Sequence, residues 1–163
     1  MKFCINVDSV NEKLNLTLNE IKYLKLIFSY YEKGKEINLS ILSNLLGIRP
    51  SSTLDTLKSL ENKGLIKREK RKISLTEKGN ELMKYISLKR RILELYFYHF
   101  LGLEIKTCKN NANKIDYLLD CEVVYKMIKK LEKLSINLKT CFHQKPTYID
   151  EFYKIIEKSN NKS

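Results

Sequence analysis

The sequence predicts a mainly α-helical chain with one small β-hairpin, and three observations carry that expectation. Apolar residues recur at helical spacing in four segments: Leu18–Gly34, Leu39–Gly47, Pro50–Gly64 and Glu77–Gly102. Two short alternating segments, Leu65–Arg68 and Lys72–Leu75, flank a strongly charged turn. Glycine and proline fall where helices stop and start, with Gly47 closing one segment and Pro50 opening the next. From Leu39 to Thr76 the order is helix, tight turn, helix, hairpin, which is the signature of a winged helix-turn-helix.

Taken in order, residues 1–17 form a poorly patterned N-terminal extension in which Phe3, Ile5 and Val7 alternate as a short strand would. Thr17 or Asn19 caps a helix with the apolar face Ile21, Leu24, Ile27, Phe28 and Tyr31, ending at Gly34. Tyr23, Tyr30 and Tyr31 are either core residues or stacking platforms for bases. Leu39, Leu42, Leu45 and Leu46 form one face of the next helix. Leu54, Leu57 and Leu60 line the buried side of the helix after it. Thr76 caps a long helix carrying Leu82, Tyr85, Ile86, Ile92, Leu93, Tyr96, Phe97 and Phe100. Further helices are expected at Asn113–Leu119 and Cys121–Leu134, the latter with Val123, Val124, Met127, Ile128, Leu131 and Leu134 as its stripe. The expected division is a winged helix-turn-helix DNA-binding domain at 18–88 and an all-helical dimerisation domain at 89–150. The long helix is shared between them, and a helix end and polar tail follow at 151–163. The apolar second half points to a homodimer, which would also supply the spacing of two half-sites.

A formal charge of +12 and a pI near 9.5 favour a polyanionic partner, and the charge distribution favours double-stranded DNA. Arg49, Ser51, Ser52, Thr53, Thr56 and Lys58 lie at or near the start of the second helix of the motif, where a recognition helix enters the major groove. Hydroxyls and free N–H groups there suit phosphate oxygens, and an arginine reaches phosphate or guanine. The hairpin tip carries Lys67, Arg68, Lys70, Arg71 and Lys72 against the single Glu69. The alternative reading of such a run is a solvated turn, and overall charge alone suits RNA or an anionic membrane equally well.

Other function classes find little support. MKFCINVDSV is too short and polar for a signal peptide, and the apolar run Ile92–Leu103 contains Glu94 and His99. The chain is therefore expected to be cytoplasmic and off the membrane. The basic amphipathic segment Met127–Leu134 keeps a membrane-surface or protein-interaction module open as an alternative. Cys4, Cys108, Cys121 and Cys141 are scattered without a CxxC pair, as reduced thiols would be. A zinc site built from them with His143 is allowed but not required by spacing. His99, in an aromatic run, reads as a partly buried structural residue. No glycine-rich phosphate loop, HExxH or Gly-x-Ser-x-Gly appears, so an enzyme is not expected.

From Leu18 to about Tyr148 the chain resembles the diphtheria-toxin-repressor family of iron- and manganese-dependent winged-helix regulators. RPSST (Arg49–Thr53), LENKGLI (Leu60–Ile66), LTEKG (Leu75–Gly79), RRILELYFYHFLGL (Arg90–Leu103) and CFHQKPTY (Cys141–Tyr148) carry the likeness. The resemblance implies a metal-dependent repressor and a set of ligand positions, which here are Lys22, Lys25, Arg90, Glu94, Lys109, Asn113, Asp116 and Tyr117. Only Glu94 and Asp116 offer carboxylates, and the cations at other positions repel a divalent ion. A degenerate site with no metal cofactor is therefore expected. Lys22, Lys25, Arg90 and Lys109 then either replace the ion by pairing with Glu94 and Asp116 or point into water; a pocket retuned for an anion is a third possibility. A metal-responsive regulator with a relocated Cys/His/carboxylate site is the alternative.

Overall fold

The computed structural model describes residues 14–134, which divide into two compact units, one up to Lys84 and one from Tyr85. The expected strand around Phe3–Val7, Cys4, Cys141, His143 and the polar tail lie outside the described residues.

In the first unit, α1 (Leu18–Glu32) opens with a reciprocal cap. Thr17 Oγ1 accepts from the Glu20 N–H at 3.2 Å, and the Glu20 carboxylate accepts from the Thr17 N–H at 2.8 Å. Thr17 rather than Asn19 is therefore the N-cap. The buried face is Ile21, Tyr23, Leu24, Ile27 and Phe28, whereas Tyr31 is exposed. Helix α2 (Leu39–Leu46) is capped by Asn38, whose Oδ1 accepts from the Ile41 N–H at 2.9 Å, and closes at Gly47 with φ 64°. Leu42 is buried, but Leu45 is 51% exposed, so the apolar face is narrower than the leucine spacing implies.

Helix α3 (Pro50–Asn62) has proline in its first turn, where no N–H is missed. Its buried side is Thr53, Leu57 and Leu60 rather than Leu54, Leu57 and Leu60. Residues 53, 57 and 60 keep helical spacing, and Leu54 stands about 100° further round on a half-buried flank. Strands β1 (Ile66–Glu69) and β2 (Lys72–Leu75) pair antiparallel, Ile66 opposite Leu75 and Glu69 opposite Lys72. The Ile73 N–H donates to the Ile37 carbonyl at 3.0 Å, adding a single-residue bridge from the segment before α2.

The hairpin joins the rest of the unit at the start of α4 (Glu77–Leu101). Thr76 donates its N–H to the Leu65 carbonyl at 3.0 Å and its hydroxyl to the Gly64 carbonyl at 2.7 Å. The same hydroxyl accepts from the Gly79 N–H at 3.1 Å, confirming Thr76 as the cap. A Cβ at Gly79 would sit 2.0 Å from the Leu65 carbonyl oxygen, so only glycine permits this approach.

A second tie runs through Glu20. Its carboxylate is buried and accepts from Lys63 Nζ at 2.7 Å and from the Ser59 hydroxyl at 2.7 Å, binding the start of α1 to the end of α3. Burial pushes the Glu20 carboxyl up, but hydrogen bonds from Lys63, the Thr17 N–H and Ser59 outweigh it and hold its pKa below the ordinary 4.5.

In the second unit, α4 continues to Leu101 and stops at Gly102, φ 62°. The expected helix at Asn113–Leu119 is instead α5 (Ile105–Ile115) followed by a turn at 116–119. Its sequence, IKTCKNNANKI, is polar, and only Cys108 and Ala112 are buried on it. Ile105, Cys108, Ala112 and Ile115 keep helical spacing, but the two of them that are buried have the smallest side chains. Helix α6 (Cys121–Lys133) buries Val124, Ile128 and Leu131, leaving Val123 and Leu134 exposed. That burial uses the stripe a lipid-bound helix would present. No helix of the described residues is long and apolar enough to cross a membrane.

Gly79→Ala is expected to lower unfolding free energy by about 3 kcal/mol or more, read by denaturant titration, because backbone must move to admit the methyl group. Glu20→Gln is expected to cost about 2 kcal/mol near neutral pH. Since the folded pKa is depressed, the wild-type stabilisation is complete above the ordinary glutamate value and fades as pH falls through the folded one. The gap between variant and wild type should therefore close on acidification, and a gap that stays constant with pH would remove the charge from this role.

Candidate nucleic-acid interface and ligand positions

The start of α3 carries the residues expected to meet a groove, and the structure sorts them. Arg49, Ser51, Ser52 and Lys58 are exposed, and Thr56 is half-buried. Lys58 lies 4.0 Å from Asp55 one turn earlier. Thr56 donates to the Ser52 carbonyl at 3.2 Å and accepts from Asn19 at 3.4 Å. Thr53 departs from the expectation: it is 0% exposed and its hydroxyl accepts from Tyr23 at 3.3 Å. It is a core residue, because a buried hydroxyl next to a buried phenol satisfies both polar groups inside. Tyr23, buried by the same contact, is no platform for bases.

The five hairpin cations are not equivalent. Arg68 donates from Nε to Glu61 Oε2 at 2.9 Å and from its backbone N–H to Oε1 at 3.2 Å. The Arg68 guanidinium holds the Glu61 carboxyl below its ordinary range. Lys72 pairs with Glu36, and Lys67 lies 3.1 Å from Glu69. Lys70 and Arg71, which form the two-residue turn, are exposed and have no ion-pair partner among the described residues. Lys70 holds φ 54°, a left-handed conformation usually given to glycine or asparagine. Beside the turn runs an open groove of about 570 Å³, with Leu39, Leu54, Leu57 and Ile73 below and Arg68, Lys70, Arg71 and Lys72 along the hairpin.

Of the expected ligand positions, Lys22 on α1 is exposed and Lys25 half-buried. In the second unit, Arg90 Nε lies 3.2 Å from Asp116 Oδ2, an ion pair that falls short of an aligned hydrogen bond. Glu94 accepts from Arg91, three residues earlier on the same helix, at 2.8 Å. Lys109 and Asn113 are exposed, and Tyr117 is half-buried. Thus the structure brings together Arg90 and Asp116 from the expected set, and adds a residue not anticipated there. Lys89, 1% exposed, donates to the Leu119 carbonyl at 2.6 Å and stands 4.8 Å over the Tyr85 ring. Its signal was available in the sequence: Leu82, Tyr85, Ile86, Ile92 and Leu93 define the buried stripe, and Lys89 falls on it.

As a donor set these positions do not fit a divalent cation. Lysine or arginine stands at four of them, and the one fully buried carboxylate lies against a guanidinium. No group of three or more His, Cys, Asp or Glu residues comes together among the described residues. His99, expected partly buried, is exposed at the edge of Tyr98, with ring centroids 5.0 Å apart.

Residues 76–148 match the family described as iron dependent repressor, metal binding and dimerisation domain. An uncharacterised HTH-type transcriptional regulator of Methanocaldococcus jannaschii is 33% identical over 115 residues, covering 69% of this chain and 92% of that protein. A hypothetical protein from Sulfolobus solfataricus has a similar structure, with TM-score 0.61 and 27% identity over 72% of this chain and 91% of that one. IdeR from T. acidophilum shares the fold at TM-score 0.58 and 22% identity, over 72% of this chain but only 55% of its own. With the helix-turn-helix, the hairpin and the helical second half in place, the chain belongs to the diphtheria-toxin-repressor-like family of winged-helix transcriptional regulators, a family of regulators and not of enzymes.

Proposed function

We propose that the chain is a dimeric, sequence-specific regulator of transcription, a repressor that binds double-stranded DNA without depending on iron or manganese. The observation that carries the DNA reading is the exposure of Arg49, Ser51, Ser52 and Lys58 on α3 together with the uncompensated Lys70 and Arg71 at the hairpin tip. Small hydroxyls at a helix N-terminus suit close approach to phosphate and base edges, and cations at the tip neutralise backbone phosphates. In this reading residues 18–88 bind DNA and residues 89–150 pair two subunits. Tyr98, Leu101, Ile105, Leu118, Val123 and Leu134 are large apolar side chains exposed in the second unit, which supports a partner surface there. Metal independence rests on the donor set, in which a protein cation already meets Asp116.

Retention of genomic fragments at moderate salt tests the whole reading. Selective retention is expected, unchanged by chelator or by added manganese or iron(II). Retention that appears only with metal would overturn the metal-independent part and favour a relocated site; no selective retention under any condition would overturn DNA binding. A sharper test concerns the tip. The Lys70→Gln/Arg71→Gln double variant should flatten the slope of log affinity against log salt by about 2 units, near 0.9 per lost phosphate contact. Arg68→Gln should leave the slope nearly unchanged, because Arg68 is committed to Glu61. An unaltered slope in the double variant would take the tip out of the interface.

A further inference from the structure

The groove beside the hairpin turn joins two kinds of lining. Its floor is aliphatic, with Leu57 and Ile73 buried and Leu39 and Leu54 half-buried. Such a floor gains from being covered by apolar matter, which the phosphates and sugars of a DNA backbone do not supply. Its rim is cationic, and the pairing there is uneven. Arg68 is held by Glu61 and Lys72 by Glu36, while Glu69, the one carboxylate of the lining, lies 3.1 Å from Lys67. Lys70 and Arg71 have no ion-pair partner among the described residues. Asn38, Leu39 and Ser40 bring the start of α2 into the lining. The Asn38 side chain takes the Ile41 N–H at 2.9 Å, whereas the Leu39 and Ser40 N–H groups, in the first turn, have no intrahelical acceptor. A helix start carries partial positive charge, so the α2 end and the hairpin both favour an anion. A volume of about 570 Å³ suits a small molecule.

We propose that this groove is an effector site for small apolar carboxylates, and that its occupant takes Lys70 and Arg71 away from DNA. An aliphatic body covers Leu39, Leu54 and Ile73, and the carboxylate meets the two tip cations in charge-assisted hydrogen bonds. The site lies wholly within the first unit, so the ligand acts where the duplex is read. The regulatory half of the inference deepens the DNA-binding reading above and rests on it. Because phosphate and carboxylate call on the same two side chains, filling the groove lowers the charge that the tip offers to a duplex.

The probes are octanoate, acetate as an anion without the apolar body, and octan-1-ol as the body without the charge. The full chain, isotopically labelled at its leucine and isoleucine methyls, is titrated with each and followed by NMR. Octanoate should shift the methyl signals of Leu39, Leu54 and Ile73 saturably, and acetate should leave them in place. Octan-1-ol should bind about tenfold more weakly than octanoate. Lys70→Gln/Arg71→Gln should weaken octanoate about tenfold and leave octan-1-ol unchanged, since two exposed charges are lost and the floor is kept. Leu54→Ser should weaken octanoate and octan-1-ol alike. Saturating octanoate should lower the affinity of wild type for its retained DNA fragments about tenfold at moderate salt, as loss of two phosphate contacts would. Octanoate shifts that do not saturate or that centre on other residues, or octanoate binding that ignores the double variant, overturn the site. Octanoate that fills the groove and leaves DNA affinity unchanged overturns the competition. If Leu54→Ser does not fold, the double variant decides, because it alters only exposed side chains. Wild type that retains no fragment would sink the DNA reading and the competition with it, and the methyl titration, which contains no DNA, decides the site separately.

Discussion

The backbone approach of Gly79 to Leu65 is the constraint from which the first unit is built. It sets the first turn of α4 against the residue that leaves α3 and enters the hairpin. Thr76 locks the same junction three ways, through its N–H, its hydroxyl donor and its hydroxyl acceptor. Because β2 runs directly into this junction, the stance of the hairpin beside α3 follows from it. The exposed residues at the start of α3 and the cations at the tip thus take their relative places from a contact in which neither participates. The Leu75-Thr76-Glu77-Lys78-Gly79 stretch is therefore explained by geometry: a hydroxyl that can cap and bridge, and a residue without a Cβ three positions later.

Charge in this chain is partitioned rather than pooled. Although the formal balance is +12, Lys63, Arg68 and Lys72 are paired with Glu20, Glu61 and Glu36 and hold elements together. Lys89 and Arg90 serve the turn after α5. Among the described residues, the exposed cations near α3 without an ion pair include Arg49 at its start and Lys70 and Arg71 at the end of the hairpin. Bulk charge acts on a polyanion over long range, whereas short-range neutralisation of phosphates falls to exposed cations not already held in ion pairs.

Much of the fold was legible because its punctuation is local. Gly47, Pro50, Gly64 and Gly102 end or begin helices for reasons written in their own backbones, and the five-cation turn marks the hairpin. Where two faces of a helix compete, pattern alone went astray by one residue. Thr53 is buried and Leu54 is not, because the hydroxyl finds Tyr23 thirty residues away. Helix α5 was misplaced although Ile105, Cys108, Ala112 and Ile115 keep helical spacing, because the two that are buried are small and stand among asparagines, which favour helix less. At the ligand positions the residue types foretold an altered site, but only the structure pairs Arg90 with Asp116 and gives Glu94 to Arg91. Such choices depend on which helices neighbour one another, and no short stretch of sequence encodes that.

The backbone of Lys70 has an evolutionary corollary. A lysine held at φ 54° occupies a place that glycine would fill with less strain, on the order of 1 kcal/mol. A chain drifting under selection for folding alone would exchange it for glycine or asparagine, since either is a single-residue change that relaxes the turn. The lysine there holds a long cationic side chain at the tip of the hairpin at the expense of that strain. Exchanging it for glycine would relax the turn and remove a tip charge in one step, so backbone ease and cationic reach are opposed at this one residue.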